Sequence, residues 1–255
     1  MLQSSAKRFR IPAGAVTAVV SLALWQLLTT VGPFSDISIP TATSTLTALF
    51  SLLQEGDTYK LIWETLVIAG LGLLIGVVLA IPFGVLLGLS RFTYLSSKFV
   101  FDFFKVIPPI VIIPIAILVL GPTTQMGVFL VIFSIFFALA IQTAYGVRDT
   151  DPILLETMRC YRLGLVPQIR FARLPSAAPF IAVGIRISAA AALVVSVVAG
   201  LIGGAPGLGR AILLSQSSGE SEKTFALILI LGILGIIVSR AVIKSQGKII
   251  FWVQE

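Results

Sequence analysis

Six long apolar segments alternate with polar ones along this chain, and one long polar segment, residues 146–178, is more basic than the rest. An apolar run of about 20 residues is the length that a helix needs to cross the roughly 30 Å hydrocarbon core of a bilayer. The pattern therefore predicts six membrane-spanning helices in a single domain that covers residues 1–255. The predicted spans are residues 13–30, 65–89, 99–120, 126–145, 179–201 and 224–243.

The composition supports an all-α membrane protein and narrows its possible chemistry. Hydrophobic residues make up 57% of the chain, charged residues make up 11%, and the mean hydropathy is +1.07. So little polar surface cannot cover a soluble globule. The chain has no histidine and one cysteine, Cys160. Imidazole catalysis, histidine-ligated metals and an internal disulfide are therefore excluded, and we expect neither catalytic residues nor a metal site.

Basic residues are distributed unequally between the segments that link the predicted spans. When both termini are placed in the cytoplasm, thirteen of the eighteen Lys and Arg residues fall on that side. They are Lys7, Arg8, Arg10, Arg91, Lys98, Arg148, Arg159, Arg162, Arg170, Arg173, Arg240, Lys244 and Lys248. The positive-inside rule therefore predicts cytoplasmic termini. Anionic membrane lipid, rather than nucleic acid, then accounts for the net charge of +7.

A short amphipathic helix is predicted between the first two spans, over residues 43–55. Ser and Thr residues precede it, Gly56 follows it, and its apolar residues recur at helical spacing. We expect it to lie on the outer membrane surface. The predicted apolar face comprises Leu46, Leu49, Phe50 and Leu53.

The second span contains two pairs of glycines at four-residue spacing, Gly72 with Gly76 and Gly84 with Gly88. Small residues at this spacing allow two helix backbones to approach closely. The pairs fit either packing within this chain or an interface with another subunit.

Three prolines, Pro108, Pro109 and Pro114, interrupt the third span. Each lacks a backbone N–H, and the carbonyls that they leave unbonded cannot be satisfied by hydrocarbon. We therefore predict a bend that faces protein or water. The bend either serves packing alone or lines a translocation pathway.

Charged residues also occur within the predicted spans. Asp102 and Lys105 are three residues apart and can pair on one helix face, and Arg186 lies inside the fifth span. Lys105 and Arg186 either reach back to the membrane surface or attract a small anion into the pathway. The candidate pathway residues are Asp102, Lys105, Pro108, Pro109, Gln142, Arg186 and Ser196.

The long polar segment, residues 146–178, is itself patterned as helix. Asp151 and Pro152 form a strong helix start, and we predict a helix over 152–163 that Gly164 stops. A second short helix is predicted to begin at Pro167 and to end before Pro175. Two short helices held below the membrane would suit docking into the groove of a soluble partner. Basic amphipathic helices also rest on bilayers, so this alternative stays open on pattern alone.

The same segment resembles the cytoplasmic loop of permease subunits of bacterial ATP-binding-cassette importers, in the nitrate, sulfonate and taurine branch. That loop carries Glu-Ala-Ala, then a glycine and a final Ile-x-Leu-Pro. Glu156 matches the glutamate, and Leu174 with Pro175 matches the end. The chain departs from the motif at four places: Thr157 and Met158 replace the alanines, Arg162 takes the glycine position with Gly164 two residues later, and Ala172 replaces the isoleucine.

The resemblance extends over nearly the whole chain. Similar positions include Trp25, Ile39-Pro40, the run from Lys105 to Pro109, Gly184-Ile-Arg186 and Gly207-Leu-Gly209. One departure is at the outer end of the fifth span, where Gly200 stands in place of a glutamate that these proteins usually carry.

The resemblance implies a six-helix permease of the type I importer fold whose short cytoplasmic helices couple to an ATPase. It implies as partners two ATPase subunits, a second permease that is identical or homologous, and an extracytoplasmic binding protein. ATP and Mg would bind to the ATPase, and no cofactor would bind here; the chain has no G-x-x-x-x-G-K-[ST] sequence. The residues expected at the ATPase contact are Glu156, Thr157, Met158, Arg159, Arg162, Gly164, Leu174 and Pro175.

Two other classes of membrane protein fit the sequence less well. A secondary transporter or channel in the inner membrane would work without ATP, but only Asp102 is a candidate buried carboxylate and no internal repeat is visible. A membrane enzyme would need clustered nucleophiles and bases, which the sequence lacks. The transported substrate is not determined by these patterns.

Overall fold

The computed structural model describes residues 13–31 and 39–249, and within them the regular structure is entirely helical. Lys7, Arg8 and Arg10, on which part of the charge argument rests, lie outside these residues, as does the side chain of Lys248. The helices are α1 (Ala13–Thr30), α2 (Ala42–Gln54), α3 (Gly56–Leu89), α4 (Arg91–Val106), α5 (Pro109–Leu120), α6 (Thr124–Arg148), α7 (Pro152–Cys160), α8 (Leu165–Gln168), α9 (Leu174–Gly203), α10 (Leu208–Ser217) and α11 (Ser221–Ile249).

Four helical stretches in the described part of the chain are long and apolar enough to cross a membrane, and they contain α3, α6, α9 and α11. The pair α4 and α5 makes a fifth span if its two bent halves are counted together. Helix α1 has the bounds of the first predicted span, and its residues from Val19 to Thr30 form a shorter apolar helix. The prediction of a multi-pass helical membrane protein is confirmed.

The predicted third span is interrupted rather than merely kinked. Helices α4 and α5 meet at 84°, with Ile107 and Pro108 in extended backbone between them. A residue that precedes proline avoids the helical region, and here two successive prolines impose this restriction on two successive residues. Helix α5 has 12 residues, about 18 Å of helix, which is too short to cross alone.

The centre of the bundle is the pair α3 and α6, which pack through the predicted glycine pairs. A Cβ atom on Gly72 would lie 2.5 Å from the Val131 side chain, and one on Gly76 would lie 2.5 Å from Ile135. Gly84 and Gly88 approach α6 in the same way, at Thr143 and Val147. Of the two readings of these glycines, packing within the chain is therefore the one that the structure supports.

Helix α2 is present where the sequence predicts it, but its buried face is rotated from the predicted one. Leu49 and Leu52 are buried, whereas Phe50 is 65% exposed and Leu53 is 37% exposed. Helix α2 packs against α11 as well as α3, and this contact selects the buried side. The Trp25 indole N–H donates to the Pro40 carbonyl at 3.1 Å and ties α1 to the segment before α2.

Candidate functional site

The chain between the end of α6 and the start of α9, residues 149–173, lies at one end of the bundle. We call this segment the knob. Helix α7 starts as predicted: the Asp151 carboxylate accepts a hydrogen bond from the Ile153 N–H at 2.8 Å, and Pro152 occupies the first helical position. Only Met158 of this helix is buried. Leu155 is half-buried, and the other side chains of α7 are exposed.

Several large apolar side chains are exposed on the outer surface of the knob. Ile153, Tyr161 and Val166 are each more than 70% exposed, and Leu165 is 56% exposed. Exposed apolar side chains gathered on a projecting segment mark a surface that another molecule covers. The sequence predicted an apolar face on this segment, but not its outward direction.

Glu156 is exposed on α7 and makes no ion pair within the described residues. The hydroxyl of its neighbour Thr157 already has a hydrogen-bond partner within α7, because it donates to the Ile153 carbonyl at 2.8 Å. Arg159 is exposed one turn further on. The knob thus offers an unpaired carboxylate and a guanidinium beside its apolar surface.

The end of α7 differs from the prediction, because the helix stops at Cys160 rather than near Gly164. The Leu163 N–H bonds to the Met158 carbonyl at 3.0 Å, and the Arg162 N–H bonds to the Arg159 carbonyl at 2.8 Å. This pair of bonds is the Schellman motif, which requires a left-handed residue where Arg162 stands. Arg162 has φ 55°, whereas Gly164 is extended.

Arg162 therefore adopts the conformation that the glycine of the permease motif would adopt more readily. Replacing it by glycine should relieve roughly 1 kcal/mol of backbone strain. We expect Arg162→Gly to slow hydrogen–deuterium exchange of the α7 amides by about five-fold in detergent-purified protein. Arg162→Ala removes the charge and keeps the strain, so it should leave the exchange unchanged. Equal slowing in both variants would contradict this account.

The second knob helix also differs from its prediction. It begins at Leu165 rather than Pro167, and it does not end before Pro175. Instead, residues 169–173 form a π-helical turn that leads directly into α9, with the Leu174 N–H bonded to the Ile169 carbonyl. A wider turn accommodates the missing N–H and the ring of Pro175 without breaking the helix. The helical path from residue 165 to 203 is thus continuous, and the knob is joined firmly to α9.

The candidate pathway residues lie on four helices, α4, α5, α6 and α9, and at the junction between α4 and α5. Asp102 bonds Lys105 at 2.6 Å, as predicted, and also Lys98, which the sequence analysis missed although it lies four residues earlier. Pro108 and Pro109 form the break between α4 and α5. The role of these residues in a pathway stays a prediction.

The remaining pathway candidates lie on α6 and α9. Gln142 packs against Gly184, and Arg186 is exposed just beyond that contact. Ser196 is buried, and its hydroxyl donates to the Leu193 carbonyl at 2.8 Å within its own helix. In this conformation the Ser196 hydroxyl is therefore directed to its own backbone rather than into an open channel.

The end of the bundle opposite the knob contains a charged cleft of about 490 Å³ between α3, α10 and α11. It is lined by Glu55, Asp57, Glu64, Arg210, Glu220 and Lys223, among others. Gly200 lies below it, where a Cβ atom would come within 2.9 Å of the Arg210 amide nitrogen. The close approach of α10 explains why this position has no room for a glutamate.

Comparison with known proteins settles the family. The family model for the "Binding-protein-dependent transport system inner membrane component" matches residues 72–244. The chain belongs to this family. It is thus a transport subunit, the permease of a binding-protein-dependent ATP-binding-cassette importer, and not an enzyme.

Individual relatives resemble this permease over most of their length. A putative aliphatic sulfonates transport permease protein, SsuC, of Bacillus subtilis is 28% identical over 96% of this chain and 89% of its own. A probable ABC transporter permease protein of Brucella melitensis is 31% identical over 91% and 94%. The nitrate import permease protein NrtB of a Synechocystis strain is 25% identical over 92% and 88%.

Among solved structures, an inward-facing conformation of the MetNI methionine ABC transporter contains a chain that superimposes with a TM-score of 0.66. The match covers 74% of this permease and 94% of that chain, at 20% identity. This similarity confirms the type I importer permease fold that the sequence predicted.

Proposed function

We propose that the permease transports a small inorganic or organic anion of the sulfonate or nitrate class, and that its knob is the contact through which an ATPase drives transport. The exposed apolar surface of the knob, with the unpaired Glu156 beside it, carries this proposal. Relatives named for aliphatic sulfonates and nitrate support the substrate class.

The proposed assembly contains two permeases, identical or homologous, two ATPase subunits and an extracytoplasmic binding protein that delivers the anion. ATP and Mg bind to the ATPase subunits. The knob and both termini face the cytoplasm, in agreement with the basic residues on that side. The charged cleft then faces outward.

Coupling would follow from the continuity of the knob with α9. A displacement of α7 and α8 by the closing ATPase is passed through the π-helical turn to α9, and so to the opposite end of the bundle. Glu156, Arg159 and Arg162 would make polar contacts with the ATPase, while Met158 anchors α7 from below. Gly164, Leu174 and Pro175 shape the path of the chain between α7 and α9.

Lys105 and Arg186 would attract the anion into the inner half of the pathway. Asp102 already neutralises part of the charge on α4, because it pairs with both Lys98 and Lys105. We expect Arg186→Gln to raise the concentration for half-maximal uptake of ethanesulfonate or nitrate by roughly five-fold. An unchanged value in proteoliposomes would remove Arg186 from the substrate pathway.

The ATPase contact is tested by reversing the charge of Glu156. We expect Glu156→Arg to lower ATP-driven uptake in proteoliposomes by at least about ten-fold, because a desolvated charge contact becomes a repulsion. Glu222→Arg provides the control, since Glu222 is equally an exposed glutamate without an ion pair in the described residues, but lies at the opposite end. If Glu156→Arg retained uptake and assembly, Glu156 would have no coupling role.

A further inference from the structure

The first turn of α10 is held by a buried side chain of a distant helix. The Leu208 N–H donates to the Thr65 hydroxyl oxygen at 2.9 Å, across 143 residues of sequence. The same hydroxyl donates to the Leu61 carbonyl at 2.9 Å within α3. Thr65 is 2% exposed and Leu208 is fully buried. Because Gly207 offers no side-chain cap, Thr65 satisfies an α10 amide that would otherwise be buried without a partner.

Three glycines bring α10 close enough for this bond. Gly207 has φ 119°, and a Cβ atom there would lie 2.5 Å from the Thr65 hydroxyl oxygen. A Cβ atom on Gly209 would meet the Val197 carbonyl and lie 2.9 Å from the Leu201 amide nitrogen of α9. Gly200 faces this crossing from α9. We call Thr65, Gly200, Gly207, Leu208 and Gly209 the socket.

The socket joins the two walls of the charged cleft. Glu64, next to Thr65, belongs to the α3 wall, and Gly207 and Arg210 belong to the α10 wall. The Thr65–Leu208 hydrogen bond therefore links the two walls next to residues that line the cleft. The Gly200–Gly209 crossing attaches the same wall to α9, which is continuous with the knob at its other end.

We infer that Thr65 is a positioning residue for transport: its hydroxyl makes α10 move with α3 and α9 as one body, so that movement of the knob reaches the outer cleft. This inference rests on the proposed ATP-driven function. It predicts that α10 does not swing as an independent gate. Removal of the hydroxyl should let the cleft walls separate while ATP hydrolysis continues.

The distance between the cleft walls tests the inference directly. Spin labels at Glu64→Cys and Arg210→Cys, in a Cys160→Ser background, report this distance in the complex purified from its membrane. With Thr65 present, we expect the same dipolar broadening without nucleotide and with ATP and vanadate, that is, a change below about 2 Å. Thr65→Val should add a population at longer distance in both states, and Thr65→Ser should restore the original distribution.

A second pair of variants perturbs the socket through the α10 backbone instead of through Thr65. Gly207→Ala forces a methyl group against the Thr65 hydroxyl, whereas Gly219→Ala introduces alanine at another positive-φ glycine that has no neighbour within 4 Å. Both changes strain the backbone, but only Gly207→Ala should separate the labels. This comparison distinguishes loss of the socket from general loss of stability.

The functional readout is uptake of ³⁵S-labelled ethanesulfonate or of nitrate per ATP hydrolysed. We expect Thr65→Val and Gly207→Ala to lower this ratio by about five-fold or more, with Thr65→Ser and Gly219→Ala within two-fold of the unmodified permease. Two results would overturn the inference: a change of more than about 5 Å between nucleotide states with Thr65 present, or a Thr65→Val distribution like that of the unmodified protein. Absence of ATP hydrolysis in the unmodified complex would refute the proposed function instead. The nucleotide-free comparison of Thr65→Val with Thr65→Ser would still show whether the Thr65 hydroxyl holds the cleft walls together.

Discussion

Gly84→Leu should strongly destabilise the permease. A Cβ atom on Gly84 would lie 2.5 Å from the Thr143 Cβ and would also meet the Ala140 carbonyl of α6. A backbone carbonyl cannot rotate away as a flexible side chain can, so α3 and α6 must separate along their contact. We expect a loss of about 3 kcal/mol, the upper end of the usual cost of overpacking, and a fall in the midpoint of thermal unfolding of roughly 6–12 °C in detergent.

Gly70→Leu is the matched control for this prediction. Gly70 lies in the same helix and is exposed, and nothing lies within 4 Å of a Cβ atom placed there. The same substitution should therefore leave the unfolding midpoint within about 2 °C of the unmodified value. Equal destabilisation at Gly70 and Gly84 would mean that helix flexibility, and not the α3–α6 contact, is what the glycines provide.

Val166→Asp should separate the permease from its ATPase. Val166 is 74% exposed at the start of α8, within the apolar surface of the knob. A carboxylate in a dry interface loses hydration without gaining a partner, so the loss at a central contact reaches about 2 kcal/mol or more. We expect at least ten-fold less ATPase to copurify with the tagged permease. The unfolding midpoint of the permease alone should not change, because the side chain is exposed in the isolated chain.

Tyr59→Asp tests whether that loss is specific to the knob. Tyr59 is 57% exposed at the opposite end of the bundle, so the substitution also puts a carboxylate in place of an exposed large side chain. It removes one exposed hydrogen bond, from the Tyr59 hydroxyl to the Leu53 carbonyl. ATPase recovery should be unchanged in this variant. Loss of the ATPase from both variants would indicate a global effect of added negative charge.

The features that the sequence predicted are those that depend on spacing along one helix. The glycine pairs of α3, the Asp151–Pro152 start of α7 and the Asp102–Lys105 pair follow from such spacing, and the structure contains each of them. The two prolines after Ile107 likewise predicted a bend. The size of that bend depends on how α5 packs against α6 and α9, which no local pattern specifies.

The features that the sequence missed depend on contacts between distant segments or on an exception to a local rule. Proline normally ends a helix, yet the π-helical turn before Pro175 lets α9 continue. Arg162 adopts φ 55° because the Schellman bonds require it, although arginine has no preference for that conformation. The bond between Thr65 and Leu208 joins residues whose spacing in sequence carries no information.

The departure at Gly200 has a structural explanation that the sequence alone did not provide. In the sequence, Gly200 is a departure from the glutamate that similar permeases usually carry at this position. In the structure, α10 crosses α9 at this glycine so closely that no side chain fits. Charged residues are nevertheless present at this end, because Glu64 and Arg210 line the adjacent cleft.

Binding of an ATP-binding-cassette ATPase to the knob is the interaction on which the proposed transport function depends. It is tested most directly by purifying the tagged chain from its native membrane in mild detergent and quantifying the bound proteins by mass spectrometry. We expect an ATPase in near-equal amount to the permease, lost with Val166→Asp and retained with Tyr59→Asp. Recovery of the chain alone in several detergents, or an ATPase that stays bound to Val166→Asp, would contradict it.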